Sequence, residues 1–167
     1  MRYGLLISYF ILCTILIGSC AYGFKGISIP PDVNTFTVDN FSIAASSAPQ
    51  GIDIQFSERL RDKVRNESRL KYNQDNPDII FSGSINSYTI SALSPEEGSV
   101  SAFNRLTIGI RLIYDSTVNE EDSWEKTFSF FADFDSTVDI SSIENELVEE
   151  IYEQLVENIF NEAFTDW

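Results

Sequence analysis

The chain has 167 residues, enough for one domain with its own core, and 26 acidic against 11 basic side chains give it a formal net charge of −15. A surface of this sign repels nucleic acid and anionic membrane faces. The sequence contains no histidine, which excludes Ser-His-Asp and Cys-His catalysis, histidine-ligated zinc and the usual neutral-pH general base.

Residues 1–19 have the organisation of a signal peptide. Arg2 makes the start positive, residues 4–17 are almost wholly apolar, and Gly18 and Ser19 are small. The apolar run of about 14 residues is shorter than the roughly 20 that a membrane-spanning helix needs. A cleaved signal is therefore the better interpretation, and a membrane span is the weaker one.

The junction Ile17-Gly18-Ser19-Cys20 is similar to the bacterial lipobox, in which the cysteine is acylated and becomes the mature N-terminus. We predict a diacylglycerol and an N-acyl chain on Cys20, which together anchor a protein stably. The alternative is an ordinary secretory signal with a chance cysteine. The residue after the cysteine is Ala21 and not Asp, which in Gram-negative lipoproteins resembles a signal for the outer rather than the inner membrane. With Cys13 removed and Cys20 blocked, no thiol is left for a disulfide, a metal site or a nucleophile.

Residues 20–34 are predicted to be an acylated N-terminus and extended lead-in, because Pro30 and Pro31 cannot lie in the centre of a strand. A single domain is predicted over residues 35–167. Its first strand, residues 35–43, changes apolar parity near Asn40, which predicts a bulge or kink. A helix over residues 52–66 follows, with an apolar stripe made by Ile52, Phe56, Leu60 and Val64.

Three strands come next. Residues 78–92 predict a long strand with a bend near Asn86, where the parity changes again. Residues 105–114 and 124–134 alternate cleanly between apolar and polar side chains, which indicates half-buried antiparallel strands.

The chain ends in a predicted helix. Ser141 and Glu144 have the spacing of a capping box. Two adjacent apolar stripes then provide the wide face that a helix lying on a sheet needs. The order β-α-β-β-β-α predicts an α+β two-layer sandwich, with an antiparallel or mixed four-stranded sheet and both helices on one face. The first strand can pair in parallel through the helical crossover.

Four stretches of the sequence resemble the lipopolysaccharide-assembly lipoprotein family (LptE), over nearly the whole mature chain. They are "CAYGFKGISIPPDVNTFTVDNF", "FSERLRDKV", "SRLKYNQDNPDIIFSGSINSYTIS" and the terminal amphipathic helix. The resemblance implies a sheet with two helices packed on it. It implies a non-enzymatic protein that plugs the outer-membrane β-barrel LptD, helps it assemble and helps place lipopolysaccharide in the outer leaflet. The acidic surface would then complement basic lumen residues, although acid also simply keeps a periplasmic protein soluble.

A locally basic segment offers a candidate site. Lys63, Arg65, Arg69 and Lys71 are candidate ligands for lipopolysaccharide phosphates. The alternative is structural, because basic residues are favoured at a helix C-terminus and Glu58, Asp62 and Glu67 lie at ion-pairing spacing.

The sequence is also compatible with two other functions. The first is a periplasm-facing accessory lipoprotein of another envelope machine, of the pilotin or barrel-assembly type. The second is an enzyme that works with two carboxylates, such as a glycoside hydrolase, although no Asp or Glu lies in a recognisable catalytic motif. No metal and no cofactor other than the covalent lipid are expected.

Overall fold

The computed structural model of the protein describes residues 27–93 and 102–165. The predicted signal peptide and Cys20 lie outside the described residues. The helices are α1 (Ile52–Glu67) and α2 (Glu144–Phe164), and short 3-10 helices cover Glu120–Asp122 and Ile140–Ser142. The strands are β1 (Thr35–Val38), β2 (Ser42–Ile43), β3 (Lys71–Tyr72), β4 (Ile79–Leu93), β5 (Phe103–Ser116) and β6 (Trp124–Asp135).

The described strands form one mixed sheet in the order β3-β1-β4-β5-β6, and β2 also pairs with β4. β1 runs parallel to β3 and β4, whereas β5 runs antiparallel to both β4 and β6. The predicted parallel pairing of the first strand is confirmed. α1 lies in the connection between β1 and β4, as parallel neighbours require.

The sheet has six strands where four were predicted. The predicted strand over residues 35–43 is divided into β1 and β2, because the chain leaves the ladder near Asn40. β3 was not predicted at all. Its residues pair with β1 through the backbone, and the Lys71 backbone nitrogen donates to the Asn34 carbonyl oxygen at 2.9 Å. Two-residue strands of this kind depend on a neighbouring strand and carry no periodicity of their own.

The bend predicted near Asn86 is a β-bulge. The register between β4 and β5 shifts between Ile85 and Ser87, which leaves Asn86 without a partner. Gly109 lies beneath it, and a Cβ atom at this position would come within 2.8 Å of the Asn86 Oδ1 atom. The small residue therefore makes room for the bulge.

Both helices pack on the same face of the sheet, as predicted. Along β5, Leu106, Ile108, Ile110 and Leu112 are fully buried, and the residues between them point to the other face. α2 buries both of its predicted stripes, and α1 buries its single stripe. The aromatic rings of Phe41, Phe56 and Tyr152 meet edge to face and join the sheet to both helices. None of the described helices is long and apolar enough to cross a bilayer.

The predicted capping box is wrong. Ile143 occupies the N-cap position of α2 and makes no side-chain capping hydrogen bond. Ser141 lies in the preceding 3-10 helix, where its backbone nitrogen donates to the Asp139 carboxylate at 3.0 Å. The Glu144 carboxylate instead accepts a hydrogen bond from the Tyr88 hydroxyl at 2.6 Å. A tertiary contact has thus replaced the local one.

Candidate functional site

The described part of the lead-in, residues 27–34, is attached to the domain at the end of α2. The Ser28 backbone nitrogen donates to the Phe164 carbonyl oxygen at 2.7 Å. The Asp78 carboxylate accepts from the Asn34 and Thr35 backbone nitrogens at 2.8 and 2.9 Å. The hydrogen bond from Asn34, followed by those from Thr35, lowers the pKa of Asp78. The path towards Cys20 therefore leaves the domain at a defined place.

Arg69 holds the same segment from the side of α1. Its guanidinium donates to the Pro30 carbonyl oxygen at 2.6 Å and to the Asn34 side-chain oxygen at 3.3 Å. Arg69 was predicted as a phosphate ligand, and the structure gives its side chain a second role, the attachment of the lead-in to the domain.

Lys63 lies between the two helices, with about 15% of its side chain exposed. It forms ion pairs with Glu157 on α2 and, at 2.8 Å, with Glu67 on α1. Partial burial by itself lowers the pKa of Lys63, but the hydrogen bonds to the two carboxylates outweigh it and the pKa is raised. Its charge is thereby already balanced within the domain.

The other two predicted phosphate ligands are more open. Arg65 pairs with Asp62 one turn earlier on α1, and more than half of its side chain is exposed. Lys71 is exposed on β3, and its ammonium forms no ion pair with the residues described. The structure thus divides the predicted cluster into two residues engaged by the fold and two that face solvent. Phosphate binding stays a prediction for these residues.

The groove between α1 and α2 is strongly acidic. It has a volume of 540 Å³. Arg59 crosses it to pair with Glu149, and Gln55 donates to the same carboxylate. The remaining carboxylates that line it belong to Glu58, Asp62, Glu67, Glu153 and Glu157. Across the described residues no Asp or Glu is buried. The described residues also include no cluster of His, Cys, Asp or Glu side chains that could hold a metal ion.

The face of the sheet opposite the helices, called the open face below, is formed by alternate residues of β4, β5 and β6. One ion pair on it joins Arg105 on β5 to Asp133 on β6. Two hydrogen bonds of 2.7 and 2.9 Å join the guanidinium to the carboxylate, and the guanidinium also lies 3.5 Å from the ring centroid of Phe131. The hydrogen bond from Arg105 lowers the pKa of Asp133.

A second pair lies further along the same two strands. Arg111 donates to the Glu125 carboxylate at 2.6 Å, and this hydrogen bond lowers the pKa of Glu125. Thr107 and Ser129 lie between the two pairs, and Thr127 lies opposite Arg111, so hydroxyl groups occupy the middle of the open face. Sequence reasoning found the alternation of these residues but not their pairing, which depends on the register between β5 and β6.

The fold and surfaces define a class of protein: a small α+β domain with a charged exterior, whose fixed N-terminal segment leads back to a predicted lipidated cysteine. The family model described as lipopolysaccharide-assembly, LptE, matches residues 33–163. The chain therefore belongs to the LptE family of lipopolysaccharide-assembly proteins. This is a family of non-enzymatic envelope lipoproteins that act in lipopolysaccharide transport with an outer-membrane partner.

Several solved structures are similar to this chain at low sequence identity. The structure of a putative neuraminyllactose-binding hemagglutinin homolog from Helicobacter pylori is 13% identical, with a TM-score of 0.52 over 84% of this chain and 88% of that chain. At this identity the likeness shows the fold alone. A minor lipoprotein from Acinetobacter baumannii is 9% identical over 80% of this chain and 97% of that chain, with a TM-score of 0.49. The rare lipoprotein B from Shewanella oneidensis is 11% identical over 77% and 89%, with a TM-score of 0.42. No curated protein sequence matches the chain.

Proposed function

We propose that this protein is an outer-membrane lipoprotein, acylated at Cys20, that plugs and helps assemble the lipopolysaccharide-export barrel LptD. In that position it aids the insertion of lipopolysaccharide into the outer leaflet. The observation that carries the proposal is the family match over residues 33–163. The physical properties of the domain support it in three further respects.

The first is the exterior. Both helices turn their apolar stripes to the sheet, and the remaining surface is rich in carboxylates and hydroxyls. The lumen of a large outer-membrane barrel is polar and wet. A plug for such a lumen must be folded and polar outside, and the carboxylates and hydroxyls on the exterior of this domain suit that requirement.

The second is the lead-in. Ser28 is fixed to the end of α2 and lies eight positions after Cys20. Eight residues span at most about 28 Å when fully extended. A lipid on Cys20 would therefore hold this end of the domain close to the membrane, which raises its effective concentration beside a membrane-embedded partner.

The third is the scarcity of side chains suited to catalysis. The mature chain has no histidine, and its cysteine is the predicted lipid attachment point. The carboxylates of the helix groove are solvent-exposed and partly paired with Arg59 and Lys63. We therefore assign the protein a binding and assembly role without turnover of a substrate.

Depletion of the protein in its native host tests the function. Without the plug, LptD should lose its native folded form, and newly made lipopolysaccharide should fail to reach the cell surface. Normal levels of folded LptD and of surface lipopolysaccharide after full depletion would contradict the proposal. Loss of a pilus, a secretion apparatus or outer-membrane proteins in general would instead favour the alternative, an accessory lipoprotein of another envelope machine.

The lipid anchor has its own test. The thioether requires sulfur, so Cys20→Ser should leave an uncleaved or mislocalised precursor that no longer fractionates with the outer membrane. Mass spectrometry should find the acyl chains on the purified wild-type protein and should find none on the Cys20→Ser protein. A Cys20→Ser protein that is processed and membrane-bound as usual would show that the anchor lies elsewhere.

A further inference from the structure

We infer that the open face, and not the helix face, is the surface that docks against the lumen wall of the barrel. This inference rests on the proposed function and names the contact surface within it. The face consists of the side chains of β4, β5 and β6 that point away from α1 and α2. No other element of the described chain covers them.

The first argument is the chemistry of the face. Its arginines, Arg105 and Arg111, are already paired with Asp133 and Glu125 at 2.7 and 2.6 Å. A charge that is paired within its own surface loses less on desolvation than an isolated charge does. Arginine held in a fixed geometry over an aromatic ring, as Arg105 is over Phe131, is typical of the residues that dominate interfaces.

The second argument is exposed apolar surface. Phe103, Ile113 and Phe131 lie on the open face with 43%, 37% and 41% of their surface exposed. They are distributed along the length of the face, among the hydroxyl groups of Thr107, Thr127 and Ser129. A mixture of exposed aromatic, arginine and hydroxyl side chains suits a polar wall better than it suits lipid or bulk water.

The third argument is size. β5 has 14 residues, so three strands make a face of about 46 Å by about 14 Å, or roughly 650 Å². A standard stable interface buries about 800 Å² on each partner. The open face thus supplies most of a standard interface, and the lipid anchor supplies the proximity that a contact of this size needs.

The net negative charge of the open face favours the barrel wall as its docking partner over a second copy of this chain. On the open face, the arginines Arg105 and Arg111 are outnumbered by the carboxylates of Asp115, Glu125, Asp133 and Asp135. Two such faces would repel each other, as would two chains with a net charge of −15. A wall with hydroxyl and basic side chains would instead complement the residual acid.

Site-specific photocrosslinking of the full acylated protein in native envelopes tests the inference. p-Benzoylphenylalanine replaces Thr127 or Ser129, both exposed on β6, and in matched variants replaces Gln154 or Asn158, both exposed and uncharged on α2. After irradiation, adducts with the barrel should form at least tenfold more strongly from β6 than from α2. Mass spectrometry of the adduct identifies the barrel and the strands reached.

The outcomes separate the inference from the proposed function. Equal or stronger barrel adducts from α2 would overturn the inference and leave the proposed function intact. The same holds if the barrel co-purifies with the protein but no β6 position crosslinks to it. Adducts from β6 with a second copy of this chain would also overturn the inference. If no position crosslinks to a barrel and none co-purifies, the proposed function fails together with the inference.

Discussion

The Arg69 guanidinium and the Pro30 carbonyl oxygen lie 2.6 Å apart, and the hydrogen bond between them fixes the lead-in against the domain. The same guanidinium reaches the Asn34 side chain. Arg69 therefore joins the segment that comes from Cys20 to the connection between α1 and β3. Its charge-assisted hydrogen bonds are of the stronger kind, and they compete with any role in binding phosphate.

Replacement of Arg69 by alanine should release the lead-in. Residues 27–34 lose the guanidinium contacts and keep those made by Ser28 and Asp78. We expect thermolysin to cleave the Arg69→Ala protein within this segment severalfold faster than the wild type, as measured by limited proteolysis with mass spectrometry. Lys71→Ala is the control, since the ammonium of Lys71 does not touch the segment in the described structure. Equal cleavage of all three proteins would show that Arg69 does not hold the lead-in.

The predicted phosphate site can be tested on the two basic residues that face solvent. Arg65→Gln with Lys71→Gln should weaken lipopolysaccharide binding severalfold at low salt, and the difference should shrink as ionic strength rises. Gln154→Glu with Asn158→Glu makes the same change in net charge on α2 and serves as the control. If both double variants bind lipopolysaccharide equally well, net charge and not a local site governs binding.

The core of the two-layer sandwich can be tested at one position of α2. Leu155 is fully buried, so Leu155→Asp would place a carboxylate among apolar side chains without a partner. We expect a loss of at least about 3 kcal/mol in the free energy of unfolding, measured by urea denaturation. Gln154→Asp, one residue earlier on the exposed side of the helix, should change the stability little. Equal stability of the two variants would contradict the packing of α2.

Tyrosine ionisation should limit stability at high pH. Burial raises the pKa of Tyr114 to about 12 and also raises the pKa values of Tyr88 and Tyr152 above the ordinary value of 10.0. Since these groups ionise more readily in the unfolded chain, their contribution is complete below pH 10 and is lost as the pH rises through the folded values. The melting temperature should therefore fall above pH 10, and by less in Tyr114→Phe. An unchanged melting temperature up to pH 12 would mean that these hydroxyls are accessible to solvent.

The major elements were predictable because burial leaves a periodic pattern. The alternation along β5 and β6 reflects one covered and one open face, and the doubled stripe of α2 reflects its position across the sheet. β3 was not predictable, because Lys71 and Tyr72 are extended only through their pairing with β1. The capping box failed because Tyr88 competes for Glu144 across the fold.

The surface chemistry was less predictable than the fold. Lys63 appeared as one of several basic residues near a helix end, and its partner Glu157 lies on the other helix, 94 residues away. Arg105 and Asp133 each appeared as polar positions in an alternating strand. Their pairing follows from the turn and register that join β5 to β6. Contacts of this kind depend on the assembled tertiary structure, and no local sequence pattern indicates them.

The open face can also be tested by charge reversal. Arg105→Glu with Arg111→Glu would oppose like charges to Asp133 and Glu125 and alter the surface that we place against the barrel wall. Surface ion pairs contribute little to folding, so the isolated domain should keep its melting temperature within a few degrees while co-purification of the barrel falls. Undiminished co-purification would contradict the assignment of this face.

The most direct test of the central claim is to isolate the acylated protein from detergent-solubilised outer membranes through a C-terminal tag and to identify its partners by mass spectrometry. We expect a large β-barrel of the lipopolysaccharide-export type, LptD, to come with it as the main partner, and the pair to survive gel filtration. Recovery of the protein alone, or with components of a different envelope machine, would contradict its role as the plug of LptD.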